Sequence, residues 1–411
     1  MLAGRTIPDT IGRVIPILLK SRSTAFILGC SSFVLLGWSG LLVPSLAREV
    51  EGGFAQTDVG LGFFYFVTAI AYAGGSVLGG MVTERVGRRP IYTVAVALTG
   101  LGLIAQGLTG DWGMFLVAGV VRSVGSGAID GGGNGMILDL YHDARGGRLN
   151  LLHLFYSVGA LGAPFALAAR DLIGFPWQGV IVASGVIALP LAALLAVTDL
   201  ADGRARPHRA HGGQRSSLLA LPLVVLAVSI GCYVASEIGV SNWLVRFLAA
   251  APAATATSAL GLFWAGLAAG RFAGSRFADR FDHATLAIVA SLVAGVALVG
   301  AVAVPSIEAS ILLFVVVGFA SGPIYPLIVA LGGERFPDRA AAVSGVIVAA
   351  SVVGAVVYPP LMGVLSVTVG LPVAMLGTAA VCLACAAGLA VVARMPAPGA
   401  GGAPRPEGRV A

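Results

Sequence analysis

The sequence predicts an all-α integral membrane protein whose twelve transmembrane helices form two six-helix bundles. Three observations indicate this class. First, 57% of the 411 residues are hydrophobic and only 11% are charged, whereas a soluble domain is about one quarter charged. Second, apolar runs of the roughly 20 residues needed to cross a bilayer recur along the chain. Third, the basic residues are concentrated in alternate loops, as the positive-inside rule requires.

The apolar runs define twelve predicted spans in two groups of six. The first group lies at 25–46, 59–82, 91–109, 112–141, 149–170 and 177–198, and the second at 217–248, 257–278, 284–305, 308–331, 340–366 and 368–393. The intervening segment is rich in Arg, His, Gly and Pro, which predicts a flexible cytoplasmic linker. The expected domains are therefore a first bundle, the linker, a second bundle and a disordered cytoplasmic tail, at 1–198, 199–216, 217–394 and 395–411.

The distribution of arginine predicts that both termini are cytoplasmic. Loops on the predicted inside carry most of the basic residues, and those on the predicted outside carry few, namely Arg48, Arg170 and Arg246. The first apolar run is too long for the core of a signal peptide, so it is interpreted as an uncleaved span. We expect a monomeric, multi-pass protein of the plasma (cytoplasmic) membrane.

The two halves also resemble each other. The stretch GGSVLGGMVTERVGRR at 74–89 reappears weakly as AGRFAGSRFADRF at 269–281. The matches at one constant offset are Gly75 with Gly270, Gly79 with Gly274, Glu84 with Asp279, and Arg85 with Arg280. A parallel six-helix repeat is typical of transporters whose site lies between the halves near the bilayer midplane.

Other function classes lack their sequence signals. No metal-ligand cluster, nucleophile constellation or phosphate-binding loop is recognisable, so we expect neither an enzyme nor a bound cofactor or metal. The four cysteines lie inside apolar runs, where they are expected to be small apolar fillers without a disulfide. The net charge of +6 follows from the loop arginines, so it does not indicate a nucleic-acid partner.

The stretch from Arg122 to Pro164 carries an acid within an apolar run. An acid such as Asp130 at the bilayer centre costs about 2.5–3.5 kcal/mol on insertion scales, which favours a functional role. Glycines occupy 131–133, immediately after it. They either loosen the helix and free its carbonyl groups for a substrate, or they permit close contact with a neighbouring helix.

Other charges in the spans are predicted to pair or to face a cavity. Asp130 and Arg271 both fall in the middle-to-inner half of their spans, so we predict that they interact in proton coupling. Arg122 and Glu237 form a second predicted pair at the outer side. The alternative for both arginines is binding to helix-end carbonyls or snorkelling towards the interface.

The loop GGMVTERVGRRP at 79–90 resembles the signature loop between helices two and three of the major facilitator superfamily. The resemblance implies the major facilitator fold and a charged latch on the cytoplasmic side; the alternative is that the loop charges only set the topology. We expect Glu84 to meet the positive start of helix eleven, near Arg339. Glu84 stands where the family usually has aspartate. The gating residues implied by the loop and its repeat are Gly80, Glu84, Arg85, Gly87, Arg88, Arg89, Asp279 and Arg280.

A narrower resemblance connects four segments to the fucose–proton symporter family. These are GAIDGGGN with LNLLHLFYSVGALGAP, CYVASEIGVSNWLVRF, AGRFAG and GPIYPLIVALG. The resemblance implies that Asp130 takes part in proton coupling and that Asn134, His153, Tyr156 and Tyr325 line a sugar cavity. The sequence departs from the family at Gly40, where sugar symporters often carry a second acid.

The residue types at several span positions suit a sugar, which needs hydrogen-bond donors and acceptors beside an aromatic face. The predicted substrate-binding residues are Trp38, Asn134, His153, Tyr156, Glu237, Asn242, Trp243 and Tyr325. Interface anchoring is the alternative for the aromatic residues, above all for Trp243.

The expected function is proton-coupled uptake of a monosaccharide or similar small polar solute, with protons and the lipid bilayer as the other partners. Efflux of drugs or metabolites by proton antiport is the alternative, because the superfamily fold serves both directions.

Overall fold

The computed structural model describes residues 22–140, 145–170, 173–198, 200, 220–277, 280–336 and 340–395. Most of the predicted linker and tail lie outside this part of the chain. The described residues form fourteen helices and no strand. They are α1 (Arg22–Ser45), α2 (Ala47–Gly53), α3 (Asp58–Val86), α4 (Arg88–Leu108), α5 (Trp112–Leu140), α6 (Arg145–Arg170), α7 (Trp177–Val197), α8 (Leu221–Phe247), α9 (Ala253–Phe277), α10 (His283–Ala303), α11 (Ile307–Ser321), α12 (Ile324–Arg335), α13 (Ala340–Val369) and α14 (Leu371–Arg394).

The predicted number of spans is confirmed, since twelve stretches of the described chain are long and apolar enough to cross a membrane. One predicted span, 308–331, is not a single helix. It breaks between Ser321 and Ile324, at Gly322 and Pro323. Proline lacks an amide hydrogen, and the second proline three residues later removes another helical hydrogen bond. Tyr325 therefore lies in the first turn of α12, which corrects the prediction of one continuous helix over 308–331.

The chain separates into two compact units. Unit 1 contains the described residues of Met1–His211 together with Ser241–Trp264 and Pro359–Leu371. Unit 2 contains the described residues of Gly212–Val240, Ala265–Tyr358 and Pro372–Ala411. Three helices, α8, α9 and α13, are thus divided between the units. The domain limits drawn from the sequence stay a prediction.

Close glycine contacts hold the helices of unit 1 together. Helix α1 packs on α6, α3 packs on α5, and α4 packs on both α5 and α7. A Cβ atom at Gly37 would overlap the carbonyl oxygen of Tyr156, and one at Gly75 would overlap that of Val124. Burial of apolar surface does not drive helices together in lipid, so their association depends on the dispersion energy gained by such close backbone contacts.

The same contacts recur in unit 2, which supports the predicted repeat. Gly75 meets the carbonyl of Val124 in unit 1, and Gly270 meets that of Phe319 in unit 2. Gly270 follows Gly75 by the same number of residues as Phe319 follows Val124. The contact of Gly127 with the carbonyl of Tyr72 is likewise repeated, at the same offset, by Gly322 with Leu267.

A further repeated contact aligns the first helices of the two halves. Gly159 meets the carbonyl of Val34 and the amide of Trp38 in unit 1, and Gly354 meets the carbonyl of Gly231 and the amide of Ala235 in unit 2. With Val34 matched to Gly231, and Trp38 to Ala235, the residue equivalent to position 40 is position 237. The first half therefore has Gly40 where the second half has Glu237.

Candidate substrate and proton site

The carboxylate of Asp130 lies half-buried in the middle of α5, surrounded by polar side chains of three helices. The Nδ2 amide of Asn134, one turn along α5, donates a hydrogen bond to its Oδ1 atom over 3.0 Å. The hydroxyl of Tyr72 on α3 donates another, and His153 on α6 is close enough for a direct electrostatic interaction. These contacts satisfy a carboxylate that has little access to water, and two of the partners, Tyr72 and His153, carry groups that can exchange a proton.

The position of Tyr72 follows from helix packing. Gly127 on α5 presses against the Tyr72 carbonyl, which brings α3 and α5 together one turn before Asp130. His153 is held by an edge-on contact with the ring of Phe33, whose centroid is 5.5 Å away. The sequence predicted Asn134 and His153 at this site but missed Tyr72.

The glycines after Asp130 serve close packing, and the loosened helix is not observed. Helix α5 continues without a break through 131–133 to Leu140. A Cβ atom at Gly131 would lie 2.6 Å from the Ser76 carbonyl oxygen, and one at Gly132 would lie 3.1 Å from the ring of Tyr92. The carbonyl groups of α5 are thus engaged in an intact helix, which decides between the two alternatives.

An aromatic group in unit 1 lies around Gly40. The indole Nε1 of Trp38 donates to the Ser184 hydroxyl over 2.9 Å. The ring of Tyr156 meets the buried ring of Trp264 at 6.1 Å between centroids. Its hydroxyl lies 3.9 Å from a Cβ built at Gly40. The structure thereby adds Trp264, which the sequence analysis did not select, to the predicted Trp38 and Tyr156.

Arg122 lies in α5 eight residues before Asp130, or about 12 Å along the helix axis. It is only 7% exposed. Its Nη1 atom donates to the carbonyl oxygen of Ser39 over 2.8 Å, and its Nε–H has no hydrogen-bond partner among the described residues. No carboxylate in the described part of unit 1 forms an ion pair with it.

A second polar group lies in unit 2. The Nη2 atom of Arg271 is 3.8 Å from the Oε2 atom of Glu237, which also accepts a hydrogen bond from the hydroxyl of Tyr233. Tyr233 further contacts Arg271, and its ring lies 6.4 Å from that of Tyr325. Glu237, Arg271 and Tyr325 are thus brought together as sequence-predicted site residues, with Tyr233 added by the structure.

The two predicted ion pairs connect residues of different units. Asp130 has the partners described above in unit 1, and Arg271 has Glu237 in unit 2. Arg122 likewise contacts Ser39 within unit 1. The predicted pairs Asp130–Arg271 and Arg122–Glu237 therefore stay predictions.

Asn242 and Trp243 lie apart from Asp130, at the end of α8 that belongs to unit 1. The hydroxyl of Tyr65 donates to the carbonyl oxygen of Asn242 over 3.4 Å. Trp243 is fully buried, with its ring 6.2 Å from that of Tyr65. A fully buried indole does not fit the interface-anchor alternative, which places the ring among lipid headgroups.

Beside Tyr65 lies a cluster of four polar residues that the sequence analysis did not predict. The Nε atom of Arg246 on α8 is 3.0 Å from Asp58 Oδ1 and 2.5 Å from Glu51 Oε2. The hydroxyl of Ser366 on α13 donates to the other oxygen of Asp58. We call Arg246, Asp58, Glu51 and Ser366 the clamp, because they join the ends of α8 and α13 to α2 and α3 within unit 1.

The signature loop forms the junction of α3 and α4. Gly87 lies between the two helices, as the C-cap of α3 and the N-cap of α4. Its φ of +94° is a conformation that only glycine adopts readily. Arg88 is buried, Arg85 is exposed, and the Nε atom of Arg89 donates to the Ala196 carbonyl over 2.5 Å.

Several gating predictions lie outside what the structure describes. These are the side chain of Glu84 and the residues Asp279 and Arg339, so the predicted latch stays a prediction. Among the described residues outside its own helix backbone, no atom lies within 4 Å of a Cβ built at Gly80. The guanidinium of Arg280 lies 5.3 Å from the ring centroid of Phe277.

Sequence comparison identifies partial similarity to known transporters. A segment of 123 residues, 29% of this chain, is 31% identical to the sodium-dependent glucose transporter 1 of Xenopus laevis. A segment of 155 residues, 36% of this chain, is 28% identical to the 3-(3-hydroxy-phenyl)propionate transporter of Escherichia coli K12. The matched segments cover only 23% and 37% of those two proteins.

Solved structures share the fold over most of the chain. A bacterial homologue of the human lysosomal transporter Spinster, in an inward-facing and unoccupied conformation, superposes with a TM-score of 0.75 at 16% identity, covering 91% of this chain and 97% of that one. The E. coli fucose:proton symporter gives a TM-score of 0.59 at 19% identity, covering 90% and 98%. The family model of the Major Facilitator Superfamily matches residues 25–251 and 217–410. The chain belongs to the major facilitator superfamily.

Proposed function

We propose that this protein takes up a monosaccharide or a similar small polar solute together with protons, by alternating access across the plasma membrane with both termini in the cytoplasm. The observation that carries the proposal is the Asp130 site. A carboxylate within a membrane-spanning helix is costly unless it is used, and this one is held by Tyr72 and Asn134 beside His153. Protonation of Asp130 removes its charge, and deprotonation restores it, which is the property that proton coupling requires.

The surroundings of Gly40 support a polar, ring-shaped substrate. Trp38, Tyr156 and Trp264 supply aromatic faces, and the indole Nε1 of Trp264 has no hydrogen-bond partner among the described residues. The related proteins are named for glucose, a hydroxyphenyl propionate and fucose, all of them small polar solutes.

The clamp supports alternating access. With the termini in the cytoplasm, α1 runs outward, so the end of α1, the start of α3 and the clamp lie on the outer side. In this structure Asp58 and Arg246 are in contact, and residues Gly62 and Gly363 pack α3 against α13 beside them. We propose that the clamp is the outer gate and that it separates when substrate enters from outside.

The proposed function is tested in proteoliposomes that contain a pH-sensitive dye. Sugars from a panel are added outside, and entry of protons is recorded for the native protein and for Asp130→Asn. Glu308→Gln is the matched control, because it removes a fully exposed carboxylate near the start of α11. We expect a sugar that drives proton entry in the native protein and in the control, with loss of proton entry in Asp130→Asn.

Two outcomes contradict the proposal. Sugar entry without proton entry identifies a uniporter, and proton entry that persists in Asp130→Asn removes Asp130 from the coupling. No response to any sugar, together with outward movement of an apolar dye under a proton gradient, favours efflux.

Efflux is the second candidate because unit 2 holds an apolar cavity of about 510 Å³ between α8 and α13. Its lining is almost entirely aliphatic and includes Val228 of α8 and Val353 of α13, and the Cys232 thiol is one of its few polar groups. An apolar compound fits such a lining better than a sugar does. Cysteine labelling at Cys232 that an apolar substrate blocks is the expected result for efflux.

A further inference from the structure

We propose that Arg122 binds an anionic group of the substrate in the space beside Gly40, so that the substrate is a carboxylate-bearing polar solute. The inference rests on the proposed function, because it names the substrate class of the same site. It starts from a buried cation for which the described residues of unit 1 supply no carboxylate partner.

The first step is the state of Arg122. Its side chain is buried, a single contact with the Ser39 carbonyl engages Nη1, and its Nε–H has no partner in the described chain. A guanidinium carries five donors in a fork that matches a carboxylate. Buried charges in proteins are paired, because an unpaired one costs several kcal/mol of desolvation. A buried guanidinium without an anionic partner in the described chain of a transporter therefore indicates a ligand that carries the anion.

The second step is the neighbouring residue on α5. Ser126 lies one helical turn after Arg122 and is also buried, and its hydroxyl has no hydrogen-bond partner among the described residues. Asp130 lies one further turn along. Arg122, Ser126 and Asp130 therefore recur at intervals of four residues, which places them along one side of α5. An anion at Arg122 and a proton at Asp130 are held on the same helix, about 12 Å apart.

The third step is the comparison of the two halves. The repeated glycine contacts make Gly40 equivalent to Glu237, and Glu237 pairs with Arg271 in unit 2. In unit 1 the arginine contacts the carbonyl of Ser39, next to Gly40, but glycine supplies no carboxylate. Gly40 is exposed, and among described residues outside its own helix backbone only the Tyr156 hydroxyl lies within 4 Å of a Cβ built there. The structure therefore has open space at the position where the other half has an acid.

The binding experiment compares a neutral sugar with its acid. Thermal stabilisation of the purified protein is measured with D-glucose, D-glucuronate and acetate at constant ionic strength. We expect glucuronate to reach half-saturation at a concentration at least tenfold below that of glucose. Loss of a charge-assisted bond changes affinity by roughly tenfold to a hundredfold, so Arg122→Gln is expected to abolish this preference.

Two further variants keep the test decisive. Gly40→Glu supplies an internal carboxylate and is expected to abolish the glucuronate preference as well, even if Arg122→Gln does not fold. Arg48→Gln is the matched control, because Arg48 also donates to a backbone carbonyl, that of Ala251, at 2.9 Å. Equal responses of the native protein to glucose and glucuronate overturn the proposal, and so does a glucuronate preference that survives both Arg122→Gln and Gly40→Glu.

Transport separates this inference from the proposed function. Proton entry driven by glucose and dependent on Asp130, without an advantage for glucuronate, leaves the proposed function standing and overturns the inference. Glucuronate binding that depends on Arg122, without proton entry for any solute, supports the inference and contradicts proton coupling.

Discussion

Neutralising Arg246 is expected to open the clamp, because this side chain holds two carboxylates at once. Its Nε atom is 3.0 Å from Asp58, its Nη2 atom is 3.0 Å from Glu51, and Asp58 is only 8% exposed. Removal of one partner from a buried ion pair costs about 3–5 kcal/mol, since the other charge stays desolvated. Arg246 keeps 26% of its surface, so the lower end of that range applies. About 3 kcal/mol corresponds to a shift of roughly a hundredfold in the equilibrium between closed and open clamp.

The shift is measured as a distance between α3 and α13. Val59 and Val367 are exposed, and each is one residue from a clamp member, Asp58 or Ser366. Spin labels at both positions give one short distance when the clamp is closed. In Arg246→Gln we expect a second, longer distance that accounts for most of the population.

Arg170→Gln is the control for this measurement. It breaks the 2.7 Å ion pair with Glu49, which joins α6 to α2 inside the first half of the chain. The label distance is expected to stay unchanged in this variant. An Arg246→Gln distribution identical to that of the native protein refutes the reasoning that the clamp holds α13 against α3.

Three further predictions concern pH and stability. Burial, partly offset by Arg246, raises the pKa of Glu51 in the clamp. The closed clamp therefore binds a proton at Glu51 more tightly than the open clamp does, so lowering the pH to about 4.5 favours closure. Glu51→Gln is expected to weaken this pH dependence of the label distance. Gly37→Ala is expected to lower the free energy of unfolding by about 1–3 kcal/mol, because its Cβ overlaps the backbone of α6. Gly74→Ala is expected to be neutral, because no described residue outside its own helix backbone has an atom within 4 Å of the added Cβ. Asp282→Ala removes the N-cap of α10 and is expected to lower the free energy of chemical unfolding by about 1 kcal/mol. Hydrogen bonds from Thr285 lower the pKa of Asp282. The stabilisation by this cap is therefore present above pH 4 and disappears as pH falls through the lowered pKa.

The sequence was sufficient for features set by local chemistry. Apolar length predicts the twelve spans, because a helix is the only way for such a segment to satisfy its backbone in lipid. The four-residue spacing of Asp130 and Asn134 places them side by side on α5, as observed. The same rule applies to Tyr233 and Glu237, so this contact was available from spacing and was overlooked.

The features that the sequence did not reveal depend on contacts between distant segments. Arg246 and Asp58 are 188 residues apart, and each taken alone resembles an ordinary charge at the end of a span. Tyr72 resembles any aromatic residue of an apolar helix until Gly127 brings α3 against α5. The break at Gly322 was signalled by Pro323, but the length of the apolar run outweighed that signal in the prediction.

The repeat makes the placement of charge in the two halves informative. The packing offset that relates Val124 to Phe319 relates Asp130 to Tyr325, so the acid of the first half has a neutral counterpart in the second. Conversely, Glu237 has the neutral counterpart Gly40. In the second half the acid lies 3.8 Å from Arg271 and accepts a hydrogen bond from Tyr233, so acid and arginine are paired within the chain. In the first half acid and arginine are two turns apart on α5 and cannot neutralise each other. This asymmetry between the halves is our reason for proposing that a proton binds at Asp130 and an anion at Arg122, both in the first half.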